Sequence, residues 1–302
     1  MPPGGFDSED QLNESFYCGC IACAAEGHRE ASGTSMVDPL LRMEVWRLPD
    51  HEYRRAIDLS RAIAVEVGTP RFYLERERDV ALSRELFAGE PMTAAGLRIV
   101  AQRGACPGHG LIHVEKVAAD SGALVLIEEG GKVLDARVRR LVLLAHLAGI
   151  FHDICRSERE HAARGAEEVK KLLPSFSLHD GECADITEAI RNHEAFRPSR
   201  NPAGCASQLL SDVLYDADKF RWGPDNFTET LWAMILPREI PLKTLLPRLL
   251  PGIEGIRQIR NSFRTPTGRE YGPDFIDRGL KIGKRLHAVL TSAEEMTKRR
   301  KE

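Results

Sequence analysis

The feature that most constrains the fold is the stretch from residue 136 to about 155, in which apolar side chains cover nearly every face of a helix. These side chains are Val138, Leu141, Val142, Leu143, Leu144, Leu147, Ile150, Phe151 and Ile154. Asp135 directly precedes the stretch and is a favoured helix N-cap. A helix that is apolar on all sides belongs in the interior of a helical protein. The sequence therefore predicts a buried central helix.

Other segments also have helical spacing. Apolar residues recur three and four apart over residues 50–104, with a break at 68–70, and further helices are predicted at about 109–129, 158–173, 180–192, 203–219 and 274–295. A hairpin over residues 123–134 is the alternative to the end of the helix at 109–129, but Glu128 and Glu129 interrupt its alternation and favour a helix. Four prolines then separate short apolar pieces: Pro237, Pro241, Pro247 and Pro251. The whole pattern predicts an all-α fold.

Composition excludes several classes of partner. The formal charge of −3 gives no strong field for a nucleic-acid polymer or an anionic membrane, and no run of about 18 apolar residues is present. The first residues lack the layout of a signal peptide. A cytoplasmic protein is therefore expected, in which the seven cysteines are thiols or metal ligands.

His152 and Asp153 lie at the end of the apolar stretch and are the first candidates for chemistry. A carboxylate beside an imidazole in apolar surroundings is costly unless a cation neutralises it. Further candidate ligands stand at helical positions elsewhere in the chain: His113, His161, His193 and Asp218. The sequence thus suggests a metal site assembled from several helices.

The order of these residues, and the strings around three of them, resemble the HD superfamily of metal-dependent phosphohydrolases. The strings are His113-Val-Glu-Lys-Val, Ala148-Gly-Ile-Phe-His152-Asp153-Ile and Ala217-Asp218-Lys219. The resemblance covers residues 105–225. It implies a single compact helical HD-type domain with a catalytic core at 105–225, a helical extension at 36–104, and C-terminal helices at 226–302 that pack on the core.

The resemblance also implies the ligand set. His113, His152, Asp153 and Asp218 would hold one metal, and His161 and His193 would belong to a second; without that pair a one-metal site remains. Imidazole and carboxylate ligands suit Mn, Fe, Co, Zn or Ni, and Mg is a further candidate. The centre would activate a water molecule, and Asp153 would bridge the metals or orient that water.

Phosphate binding requires positive charge near such a centre. Arg156 and Lys116 are the expected catalytic cations, while Lys219 and, more weakly, Arg197 are further candidates for binding substrate. The family often has Gly and then a basic residue after its His-Asp-Ile string. This chain has Cys155 before Arg156, so the small residue is missing and the cation is kept.

The remaining polar candidates have simpler interpretations. His109 is expected beside the ligands or on the surface, and His146 as a hydrogen-bonded core histidine. His179 precedes Asp180, which is expected to cap a helix. Asp216 competes with Asp218 but lies on another helix face, and the Ala-Asp-Lys string favours Asp218.

Residues 1–35 are expected to be loosely ordered and contain a separate cluster. Three cysteines and a histidine there could hold zinc or an iron–sulfur cluster: Cys18, Cys20, Cys23 and His28. Their spacing matches no standard pair of zinc knuckles, and free thiols in a flexible tail are the favoured interpretation.

The expected function is hydrolysis of a phosphate ester or anhydride, such as a nucleotide-like small molecule, at a centre of one or two divalent ions. The partner would be a small phosphorylated substrate, and the chain could form a homo-oligomer. One alternative is a regulatory module that binds a nucleotide or second messenger without turnover. Another is a di-iron oxygenase with the same ligands.

Overall fold

A computed structural model describes residues 51–104, 106–130, 134–198 and 204–299, and these ranges contain twelve α-helices and no β-strand. The helices are α1 (His51–Val67), α2 (Arg71–Glu75), α3 (Glu77–Gly89), α4 (Pro91–Arg103), α5 (Leu111–Glu128), α6 (Ala136–Phe151), α7 (His161–Leu172), α8 (Asp180–Arg191), α9 (Cys205–Phe220), α10 (Leu231–Ile235), α11 (Leu242–Arg257) and α12 (Pro266–Arg299). The predicted all-α class is confirmed. No helix within these ranges has both the length and the apolarity that a membrane crossing requires.

Helix α6 is the predicted apolar helix, and it is buried along its length. Its first turn is capped as expected, since Asp135 Oδ1 accepts a hydrogen bond from Val138 N at 2.8 Å. The helix ends at Phe151, four residues before the predicted end, and the chain continues in turns through 152–158. His152 and Asp153 therefore lie in a turn at the end of a buried helix.

Helices α5 and α6 form an antiparallel central pair with a very close approach. A Cβ atom built on Gly149 would lie 2.5 Å from Ala118 Cα, and one on Gly122 would lie 2.2 Å from His146 Nε2. A side chain at Gly149 would push the two backbones apart, and one at Gly122 would displace the His146 and Ser83 side chains. This approach brings the start of α5 beside the end of α6, where His113 and His152 lie.

The other helices surround this pair. Helices α3, α4, α8 and α9 pack against α5 or α6, whereas α12 packs against α1, α9 and α11. Helix α5 runs to Glu128 and ends before Gly130, whose φ of 86° is left-handed. The helix prediction is thus confirmed here, and the hairpin alternative is wrong.

The last third of the chain differs most from the sequence pattern. Pro247 and Pro251 were expected to separate short pieces, but both lie inside α11. Both prolines are exposed and one turn apart, so the helix loses its two hydrogen bonds away from the buried core. Helix α12 begins at Pro266, earlier than predicted, because Thr265 Oγ1 accepts a hydrogen bond from Gly268 N at 2.8 Å and caps it.

Candidate metal centre

The six predicted ligands come together from different parts of the fold, and all six side chains are buried. His113 lies in the first turn of α5, His161 begins α7, and Asp218 lies in the last turn of α9. His152 and Asp153 follow α6, and His193 follows α8. Three overlapping groups at this point could hold a metal ion, with ligand atoms within 4.8 Å of one another: His109, His113 and Asp153; His113, His152 and Asp218; and His152, Asp153 and His193.

The Asp153 carboxylate lies between two sets of histidines. Its Oδ2 atom is 3.2 Å from His152 Nε2 and 3.6 Å from His113 Nε2. Its Oδ1 atom is 3.5 Å from His193 Nε2 and 3.7 Å from His161 Nε2. Each oxygen of the Asp153 carboxylate thus faces a different pair of histidines.

Asp218 faces the first of these pairs from the opposite side. Its Oδ1 atom lies 3.5 Å from His113 Nε2 and 3.7 Å from His152 Nε2. Its Oδ2 atom pairs with Lys219, which also donates to His193 O at 3.0 Å. Lys219 is buried and committed to these two contacts, so it holds Asp218 in place, in contrast to the substrate-binding role expected for it.

Backbone carbonyl groups fix the orientation of two imidazoles. His152 Nδ1 lies 2.8 Å from Gly149 O, and His193 Nδ1 lies 2.6 Å from Ile190 O. Because a carbonyl oxygen only accepts, each Nδ1 donates and each Nε2 is directed at a carboxylate. His193 Nε2 and Asp153 Oδ1 are buried without a hydrogen-bond partner. Unpaired acceptors that face each other fit a bound cation.

The pKa shifts of the cluster residues also fit a bound cation. Burial acts to lower the pKa of His152, but Asp153 and Asp218 outweigh it and raise that pKa to about 10. Burial also acts to raise the pKa of Asp153, yet His152 and Arg156 hold it well below its usual range. The two carboxylates therefore require positive charge between them. Burial lowers the pKa of His113 to about 4, which leaves the neutral imidazole that a metal ligand must be.

His109 lies closer to the centre than its sequence position suggested. Its Nδ1 atom is 2.7 Å from Asp153 Oδ2, and its ring lies edge-on to His113 at 4.7 Å between centroids. It precedes α5, in a turn where His109 N donates to Cys106 O at 2.9 Å. The expectation of a surface residue is wrong, and that of a residue beside the ligands is correct. Its spacing of four from His113 hinted at this proximity, but His109 lies outside the helix and the turn before α5 places it.

Arg156 is the predicted cation that lies beside Asp153 and lines the cavity. Its Nη1 atom donates to His161 Nε2 at 2.8 Å and lies 3.7 Å from Asp153 Oδ1. The guanidinium thus occupies the side of Asp153 that a second ion would use. His161 Nε2 is already an acceptor here, so Arg156 and a second ion compete for the same atom.

The other two predicted cations are elsewhere. Lys116 pairs with Asp225 at 3.2 Å and with Glu229 at 2.7 Å, on the outer side of α5. Its role as a catalytic cation is therefore not supported, because two carboxylates already neutralise it. Arg197 is largely exposed and lies 3.4 Å from Glu194, its neighbour in the same turn. Helical spacing placed Lys116 near His113 but gave no information on these carboxylates.

The polar residues with simpler interpretations are also located. His146 is a core histidine as predicted, buried and 2.9 Å from Ser83 Oγ. His179 is exposed, and it, rather than Asp180, stands at the N-cap of α8, where its N–H donates to Glu182. Asp216 is buried away from the centre and accepts hydrogen bonds from Arg264 N and Thr265 N, both at 2.8 Å.

A cavity of about 150 Å³ opens beside the cluster. His109, His113, Arg156 and Asp218 line one end of it. Residues of α10, α11 and the π-helical turn Asn226–Thr230 line the other end. The metal-binding groups therefore have a route to a small molecule, and the wall opposite them comes from the part of the chain that follows 225.

The cysteine cluster of Cys18, Cys20, Cys23 and His28 lies outside the described residues, as does the whole segment 1–35. Comparison of the chain with family models, with curated proteins and with solved structures finds no match. The geometry of the cluster and its cavity is therefore the basis for what the chain could do.

Proposed function

We propose that the chain is a metal-dependent phosphohydrolase that cleaves a phosphate ester or anhydride with water. The observation that supports it best is the position of Asp153, with each carboxylate oxygen directed at a different pair of buried histidines. The same residues, in the same order, carry the resemblance to the HD superfamily. A carboxylate so placed suits a hydrolytic centre of one or two ions.

The ligands of the first ion would be His113, His152, Asp153 and Asp218, and those of a second would be Asp153, His161 and His193. When bound, a divalent ion supplies a water molecule of lowered pKa and a Lewis acid for phosphoryl oxygens. Neutral imidazole nitrogen with carboxylate oxygen suits Mn, Fe, Co, Zn or Ni more closely than Mg.

Two further side chains of this site have roles that need no ion. Arg156 lines the cavity and offers a guanidinium to phosphoryl oxygens, a pairing that charge and fork geometry both favour. His109 lines the same cavity and contacts Asp153, so it can hold a proton between that carboxylate and the departing oxygen. Hydrolysis then joins the water oxygen to phosphorus, breaks the bond from phosphorus to the ester or anhydride oxygen, and transfers a proton of the water to that departing oxygen.

The direct test is a metal analysis of the purified protein, followed by an assay of phosphate esters and anhydrides with added Mn, Fe, Co or Mg. We expect Asp153→Asn to abolish metal-dependent release of phosphate. The matched control is Asp180→Asn, because Asp180 also follows a histidine but is exposed and far from the cluster. Unchanged activity in Asp153→Asn would refute the proposal.

The same samples separate the two alternatives. Thermal stabilisation by a nucleotide without any product would favour a regulatory module. Oxygen consumption that requires iron and a substrate, with no phosphate released, would favour an oxygenase. Either result would replace hydrolysis as the function of this centre.

A further inference from the structure

The cavity beside the cluster has two chemically different ends. The end at the cluster carries histidine, arginine and carboxylate groups. The opposite end is built mainly from apolar side chains: Phe227, Leu231, Met234, Leu245, Leu249, Ile253 and Ile256. A molecule that fills this cavity therefore meets polar groups at one end and an aliphatic wall at the other.

The apolar end offers few hydrogen-bonding partners. Within the described part of the chain, the polar side chains that line the cavity away from the cluster are those of Arg221, Trp222, Asn226 and Thr230, and Arg221 already pairs with Asp120 and Asp225. A nucleoside carries hydroxyl groups and base donors and acceptors, and burying these without partners is costly. An apolar group has no such cost and gains free energy from burial.

The volume sets a limit on that group. An apolar cavity of roughly 150 Å³ is large enough for benzene, and the cavity here has about that volume. This volume includes the end at the cluster, so the apolar end suits a substituent no larger than a phenyl ring or a chain of about six carbon atoms. A nucleoside, which has both a base and a ribose, is larger than such a substituent.

We propose that the substrate is a phosphate monoester of a small apolar alcohol, with its phosphate at the histidine–aspartate cluster and its apolar group against α10 and α11. This proposal rests on the phosphohydrolase function proposed above. It narrows the substrate class from nucleotide-like molecules to small aryl or alkyl phosphates.

Binding can be tested separately from turnover with phosphonates, whose carbon–phosphorus bond resists hydrolysis. Calorimetric titration of the full chain loaded with Mn²⁺ would compare ethyl-, butyl-, hexyl-, decyl- and phenylphosphonate with AMP. We expect affinity to rise about fourfold for each added methylene, to level off or fall beyond about six carbons, and AMP to bind more weakly than hexylphosphonate.

Variants of the apolar wall test its role. Leu231→Gln and Met234→Gln alter half-buried lining residues, and each should weaken hexylphosphonate at least about fivefold while ethylphosphonate changes less than about twofold. Leu250→Gln is the control, because Leu250 lies on α11 beside Leu249 but is 46% exposed and does not line the cavity. Circular dichroism of each variant verifies folding, and either glutamine variant alone suffices.

The outcomes separate the two proposals. A flat chain-length profile, or AMP binding more tightly than hexylphosphonate, would overturn the apolar-substrate proposal even if phosphate esters are hydrolysed. Conversely, a chain-length profile that depends on Leu231 or Met234, together with no hydrolysis of any phosphate ester or anhydride tested, hexyl and phenyl esters included, would leave the apolar subsite standing. That second result would refute the phosphohydrolase function.

Discussion

His193 Nε2 and Asp153 Oδ1 lie 3.5 Å apart in the interior, and neither atom has a hydrogen-bond partner. His193 cannot supply a donor by moving its proton from Nδ1 to Nε2, because Nδ1 donates to Ile190 O at 2.6 Å. Two acceptors held this way repel each other unless a cation lies near both. Their arrangement means that stability and metal content should be linked.

Chelation should therefore destabilise the protein. A ligand present at 100 times its Kd adds about 2.7 kcal/mol to the free energy of unfolding. We expect thermal unfolding with and without EDTA to differ by that order in the native chain, and the difference to shrink in His193→Gln. His179→Gln is the control, since His179 is exposed. An identical EDTA effect in His193→Gln and the native chain would contradict this role of His193.

The close approach of α5 and α6 gives a second prediction. In Gly149→Ala the new methyl group would meet Ala118 Cα at 2.5 Å and Ala118 N at 2.7 Å, and backbone atoms cannot yield as side chains do. We expect a loss of about 1–3 kcal/mol in urea denaturation. Metal affinity should fall too, because His113 lies in α5 and His152 directly follows α6, and their Nε2 atoms are 3.2 Å apart.

Gly181→Ala provides the control for this substitution, because nothing lies within 4 Å of a Cβ atom there. It should be neutral or stabilise the protein by up to about 1 kcal/mol. If Gly149→Ala behaves like Gly181→Ala, the two central helices are not held by close backbone contact.

Much of this site was predictable because its ligands lie next to strong helical signals. The apolar stretch before His152 predicts a buried helix. The residues at the end of that helix, His152 and Asp153, are therefore expected in the interior of the protein. Asp218 was distinguishable from Asp216 by its string, and the structure shows the physical difference. Asp216 precedes Asp218 by two residues and therefore lies on another face of the helix. There it accepts hydrogen bonds from the backbone of residues 264–265 and does not face the cluster.

Other parts of the site depend on contacts that spacing does not encode. His109 reaches Asp153 through the turn from Cys106, in which Gly108 has a φ of 83°, so no helical period places it there. The apolar wall of the cavity comes from α11, whose Pro247 and Pro251 indicated a break. Proline tolerance depends on which face of a helix is exposed, and that is a property of the tertiary structure.

The two aspartates of α9 should respond differently to substitution. Asp218→Asn should remove most metal binding, because Asp218 faces His113 and His152. Asp216→Asn should keep the metal but lose about 1–3 kcal/mol of stability, since a buried carboxylate that accepts from Arg264 N and two Thr265 groups is replaced by a group with one acceptor oxygen. Metal analysis and urea denaturation of both variants would reveal any exchange of these roles.

His146 predicts part of the acid sensitivity. Burial lowers its pKa to about 3 in the folded chain, whereas an unfolded histidine titrates near 6.5. The unfolded state thus binds the proton first, so His146 makes the folded state lose stability as pH falls from about 6.5 toward 3, by up to about 1.4 kcal/mol per pH unit. His146→Gln should flatten the dependence of unfolding free energy on pH over this window, measured by urea denaturation. A slope equal to that of the native chain would refute the assignment.

Arg156 should determine how readily a second ion binds. Its guanidinium donates to His161 Nε2 and lies 3.7 Å from Asp153 Oδ1, so a second ion must displace a like charge from both atoms. In Arg156→Gln we expect affinity for the second ion to rise at least about tenfold, which corresponds to about 1.4 kcal/mol. The KM for phosphate esters should rise as well, because the phosphoryl group loses its forked donor. Arg103→Gln is the control, as Arg103 pairs with Glu168 outside the cluster. Calorimetric titration with Mn²⁺ gives both stoichiometry and affinity, and an unchanged second affinity would mean that the arginine does not compete with the ion.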